Sequence, residues 1–391
     1  MKNKFGFTVA TCYLGYIVQA IVNNLSPLLF VQFQTQFSLS ASSLAFVVFL
    51  NFGIQILVDS QSATIALKLG YRRSAVAAHL LSAIGLVCLG VLPFVMNPFA
   101  GILISTLFTA VGGGFIEVVL SPLVEALPLG NKSGAMCMLH SFYCWGHIFT
   151  VLAATLFFNT AGIANWRFLP VLVAAIPLVN ALFFSLCPIV APEGDADPAS
   201  YKTIFGMKFF FVFLMLMAAS GAAEQAIAQW ASYFAEVGLD LPSKTYGDIF
   251  GTCLFAFGMA VSRTLYGVLG DKINLKKAIT VFAVFLFSAY LLTSLSPLPR
   301  LSLVGIACGG FFVGIMWPGV YALAGRYYPK GGTKMFGMLA LAGDFGCTVG
   351  PTLVGLISED IRVGLGVAAV FPLLLLLGMV LLREKKKPIS R

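Results

Sequence analysis

Residues 98–127 read PFAGILISTLFTAVGGGFIEVVLSPLVEAL, thirty residues without a lysine or arginine. A helix rises 1.5 Å per residue, so about 20 apolar residues cross a hydrocarbon core about 30 Å thick. The stretch is long enough to span, and of its two carboxylates Glu125 lies near the end while Glu117 lies well inside it. The glycines at 112, 113 and 114 let a neighbouring helix come close. Working outward, eleven more segments read the same way: 7–33, 42–66, 74–95, 133–159, 166–188, 205–236, 245–268, 276–296, 299–325, 333–357 and 363–382. The whole chain is 59% hydrophobic and 10% charged, where a soluble domain is about 25% charged. The expectation is an all-α membrane protein of twelve transmembrane helices, with a site inside the bilayer.

The basic residues set the orientation. Nineteen of the 24 Lys and Arg fall on the side of the two termini; Arg167, Lys244, Arg300 and Arg362 fall on the other, and Arg263 lies within a span. Lys and Arg are retained on the cytoplasmic side, so both termini are expected there. The net charge of +9 is then a matter of topology, not of nucleic-acid binding. The run Arg383-Glu384-Lys385-Lys386-Lys387 suits anionic headgroups. The N-terminal apolar run is too long for a signal peptide and reads as an uncleaved first span. All eight cysteines fall within spans, without metal-ligand spacing, and read as small packing residues.

Residues 189–204, polar and acidic with two prolines, separate six spans from six. The division is 1–188, a first six-helix bundle, 189–204, a cytoplasmic linker, and 205–391, a second bundle with a short basic tail. The halves resemble one another. Gly113-Gly114-Phe115 with Pro122 matches Gly309-Gly310-Phe311 with Pro318 at the same spacing, and Met138-Leu139 with Gly146 matches Met338-Leu339 with Gly346. Repeated six-helix units are a transporter signature, with the substrate site near the midplane between them.

With basic loops after spans 2 and 8, this pattern resembles the major facilitator superfamily. The superfamily's loop motif is degraded in the first copy, Ala63 to Arg73, where Leu67 holds the acidic position; the second copy, Gly267 to Asn274, keeps Asp271 and Lys272. Within the superfamily the chain is similar to the fucose-permease-like sugar:proton symporters, through Asn23-Asn24-Leu25, Phe33-Gln34, Gly112 to Glu117, and Leu139 to Gly146. Those symporters place an aspartate two residues after Asn-Asn-Leu, where this chain has Pro27.

Carboxylates in hydrocarbon are costly and mark function or a partner. Glu117, on which the resemblance lands, is the expected proton carrier, and Asp344 a second coupling acid or a packing device. Gln225 and Gln229 lie one i,i+4 step apart and offer amides, donors and acceptors at once, to a hydroxylated solute. Glu224 and Trp230 join them as substrate contacts, as do Asn23 and Asn24 of span 1, with Tyr143 and His147 on one face of span 5. Interhelical hydrogen bonding is the competing reading of each. His140 shares that face two turns from His147; His79 reads as packing. Arg263 is expected to reach for the headgroups, or else to pair with Asp344 or Glu117. Asp248 reads as a helix-start residue. Asp59, Arg72, Arg263, Asp271 and Lys272 are assigned to gating.

No nucleophile elbow, phosphate loop or metal set is present, so neither enzyme chemistry nor a cofactor is expected beyond a proton gradient. The reading is proton-coupled uptake of a small polar solute such as a sugar, by alternating access, by a monomer in the inner cell membrane. The rivals are an exporter of amphipathic compounds, a uniporter, since Pro27 replaces one acid, and a non-transporting receptor.

Overall fold

A computed structural model describes residues 5–129, 132–190, 201–241, 243–269, 273–328, 332–357 and 360–382. The described residues hold twelve helices long and apolar enough to span a membrane. They are α1 (Gly6–Phe37), α2 (Ala41–Gln61), α3 (Tyr71–Val95), α4 (Pro98–Ala126), α5 (Met138–Ala161) and α6 (Phe168–Leu186) in the first half. The second half has α7 (Phe210–Gly238), α8 (Lys244–Gly267), α9 (Leu275–Leu295), α10 (Pro299–Tyr327), α11 (Lys334–Ile357) and α12 (Ile361–Leu381). Each expected span is present, with ends moved by a few residues. The protein is a multi-pass membrane protein.

Local sequence explains where the helices start and where they loosen. Asn97 accepts the amide of Ala100 ahead of Pro98, and Ser40 that of Ser43, each satisfying a free N–H of the first turn. Pro27 lacks an N–H, and α1 passes through a 3₁₀ turn at Pro27–Leu29. Helix α7 loosens after Ala228 and ends in a π segment, Phe234–Gly238, and α8 has another, Asp248–Cys253, after its first turn, Lys244–Gly247. Helix α10 breaks between Val313 and Met316.

Glycine sets the close helix pairs. A Cβ on Gly112 would lie 2.7 Å from the amide nitrogen of Ser82 in α3, and one on Gly305 would lie 2.8 Å from that of Thr293 in α9. The third and fourth helices of each half therefore pack backbone to backbone. Helices α7 and α11 do the same: a Cβ on Gly346 would fall on the carbonyl of Ala218. Gly346→Ala should cost about 1–3 kcal/mol through overpacking. A lowered thermal unfolding midpoint in detergent is the readout. Gly337→Ala, on the same helix with nothing within 4 Å of the new methyl, should leave the midpoint unchanged.

The halves meet along α2 against α11, α5 against α8, and α1 against α7. At the face opposite the termini they are joined. Thr245 donates to Asn159 at 3.0 Å, Phe30 packs on Trp230 with ring centroids 5.4 Å apart, and a Cβ on Gly355 would meet Ala45 at 2.7 Å. At the terminal face, hydrogen bonds tie helices within each half: Tyr13 to Ala135, Arg72 to Phe184 and Ser185, and Tyr321 to Phe336.

Candidate functional site

A chain of polar side chains crosses the middle of the protein from one half to the other. It begins on α2, where Gln55 and Asn51, one turn apart, both donate to Asn23 Oδ1, at 2.9 and 3.4 Å. The carbonyl of Asn23 accepts from Gln229 Nε2 at 3.3 Å, which crosses to α7. Gln229 also donates to Gln225 at 3.1 Å, and Gln225 to Glu224 at 3.5 Å. Glu224 Oε2 pairs with Arg263 Nη2 at 2.7 Å. Arg263 then donates to Cys144 Sγ of α5 at 3.4 Å and to the carbonyl of Gly314 at 3.3 Å. That carbonyl is available because α10 breaks there, and irregular backbone at membrane depth needs such a partner.

A second group of polar side chains lies on α1, α4 and α5. Gln19 donates to Glu117 Oε2 at 2.5 Å. Asn24 donates to the Tyr143 hydroxyl at 3.3 Å, and Tyr16 shares a 2.6 Å hydrogen bond with Ser121. Gln19 Oε1, Asn24 Oδ1 and His147 Nε2 are buried without a partner among the described residues. Buried polar atoms are seldom left so, and open capacity of this kind suits a polar guest or water. Asp59 of α2 and Asp344 of α11 lie against one another across the halves, which brings two carboxyl groups together where these helices pack.

Several expected residues sit elsewhere than the sequence suggested. Arg263 reaches neither the headgroups nor Asp344 or Glu117: Glu224 lies within reach on the adjacent helix and captures it. Asp248 is not a helix-start residue. It lies in the π segment of α8, where it accepts from Ser232 at 2.5 Å and faces Lys244 at 3.3 Å. His140 and His147 do not share one environment: His140 is exposed, edge-on to Tyr16, and His147 is buried. Trp230 is fully buried at the junction of the halves, its indole N–H donating to Pro351 at 2.8 Å. Arg72 binds carbonyls at the end of α6, inside its own half. Asp271 and Lys272 lie outside the described residues. His79 is packed, bonded to Ala75 and Asn180.

The sequence did not single out Gln19, Asn51 or Gln55, and Cys144, a partner of Arg263, read there as a packing residue. Spacing could have flagged the first three. Gln19 precedes Asn23 by four residues, and Asn51 precedes Gln55 by four, so each pair shares a helix face.

The second half matches the Major Facilitator Superfamily family model over residues 239–391. No curated protein matches the chain in sequence. Among solved structures, the fucose:proton symporter FucP of E. coli is 17% identical with a TM-score of 0.67, covering 97% of this chain and 99% of that one. A D-xylose-proton symporter is 13% identical with a TM-score of 0.79, covering 97% of each chain. A bacterial homologue of the human lysosomal transporter Spinster, inward-facing and occupied, is 14% identical with a TM-score of 0.77, again covering 97% of each. At such identities the likeness is one of fold. Residues 239–391 are thus similar in sequence to the Major Facilitator Superfamily, and the chain shares the fold of these transporters over 97% of its length. The proteins it resembles are transporters, not enzymes.

Proposed function

We propose that this transporter takes up a small polar solute, a sugar first of all, together with protons and by alternating access. The observation that carries the reading is the midplane set of amides. Asn23, Asn24, Gln225 and Gln229 come from both halves at their junction, beside the unpartnered Asn24 Oδ1 and His147 Nε2. Amides pair with hydroxyls as donors and acceptors, and an apolar cation would leave them unsatisfied. Glu117, on its Gln19 partner, is the proton carrier, and the carboxyl pair Asp59–Asp344 gives a second acid where Pro27 has displaced the one expected in α1. The protein acts as a monomer in the inner cell membrane, termini in the cytoplasm, driven by the proton gradient. The fucose and xylose symporters of the same fold support the substrate class.

The test is solute-induced charge movement in proteoliposomes across a panel of sugars. An inward positive current with one of them is the expected result. Neither current nor tracer flux for any sugar, with the protein shown to be folded, would overturn the sugar reading and direct the panel to amphipathic compounds and export.

A further inference from the structure

At the face opposite the termini, a cavity of about 350 Å³ lies between the halves, apart from the midplane site. Gln32 of α1, Thr155 and Asn159 of α5, Glu236 of α7, and Lys244 and Asp248 of α8 are among its lining residues. Lys244 Nζ lies 2.7 Å from Glu236 and 3.3 Å from Asp248. Two carboxylates thus face one ammonium, and one negative charge is left over.

Three buried oxygens at this junction lack partners among the described residues: Asp248 Oδ2, Thr252 Oγ1 and Thr155 Oγ1. Their residues are 1%, 2% and 6% exposed. The threonines depart from the habit of the chain. Thr106, Thr150, Thr293 and Thr348 each return their hydroxyl to the carbonyl four residues earlier. Thr155 and Thr252 do not. Asp248 and Thr252 belong to the π segment Asp248–Cys253, whose widened turn keeps residues four apart near one face. Such segments occur often at functional sites.

We propose that this junction binds a monovalent metal cation, with Asp248, Thr252 and Thr155 as the protein's oxygen ligands and water from the cavity completing the shell. Hard cations take oxygen ligands. One positive charge balances the local excess, while two would reverse it. The described residues hold no cluster of three His, Cys, Asp or Glu side chains of the kind that would favour a multivalent or transition metal. Because α5 and α8 come from different halves and are already joined here by Asn159 and Thr245, a bound cation stabilises the closed form of this face. The proposal depends neither on the transported solute nor on proton coupling.

The experiment is thermal unfolding of the purified full-length protein in detergent, in sodium, potassium or choline chloride at equal ionic strength. Sodium or potassium should raise the midpoint saturably above choline. Asp248→Asn and Thr252→Val should each remove that difference. Thr252→Val leaves the Lys244 ion pairs intact, so the test stands even if Asp248→Asn does not fold. Equal midpoints in all three salts, the result for a cavity holding water only, would overturn the proposal. So would a cation effect that persists in Thr252→Val.

Discussion

Glu117→Gln should abolish accumulation of the solute against its gradient while solute exchange across the membrane continues. Glu117 sits on α4 just after Gly113 and Gly114, where added methyls would crowd Val22 of α1 and Val58 of α2. The glycines bring α4 close enough for Gln19 to reach the carboxyl at 2.5 Å. Glutamine keeps the shape and can still accept from Gln19, so the helix contact survives. What it cannot do is release and rebind a proton. Coupled transport in proteoliposomes under an imposed proton gradient should therefore fall to simple equilibration, with counterflow still measurable. Full accumulation by the variant would remove Glu117 from the mechanism. Loss of counterflow as well would make it a structural residue.

The second large effect is on stability. Glu224 and Arg263 are 8% and 12% exposed at the side chain and 2.7 Å apart. Removing one partner of such a pair leaves a lone buried charge, at a cost of about 3–5 kcal/mol. Glu224→Gln and Arg263→Gln should each lower the thermal unfolding midpoint sharply, and the double variant should recover most of the loss, since no uncompensated charge remains. The coupling in that double-mutant cycle is the quantity to measure. Additive losses would show that the two residues act through other contacts, such as the bonds of Arg263 to Gly314 and Cys144.

The twelve helices were legible because the bilayer imposes length and apolarity on each one separately, and each segment carries that signal by itself. The similarity of the halves was legible in the matched glycine and proline spacings of α4 and α10. Intramembrane Glu117, Glu224 and Asp344 were conspicuous for a related reason: a charge-bearing residue stands out against hydrocarbon.

Partners were another matter. Glu117, Glu224 and Asp344 all lie within spans, and nothing in the order of residues says that Glu224 is the one Arg263 reaches. Asp59 and Asp344 are far apart in sequence and meet only because α2 packs against α11. The placement of Asp248 and Thr252 depended on a π segment that shifts the face of α8, which helical periodicity does not register. The sequence by itself determined that this chain crosses a membrane twelve times, with acids and amides at depth, because those are costs paid residue by residue. The tertiary structure decided which of those groups meet, because each hydrogen bond and ion pair is a property of two helices and of the small residues that let them approach.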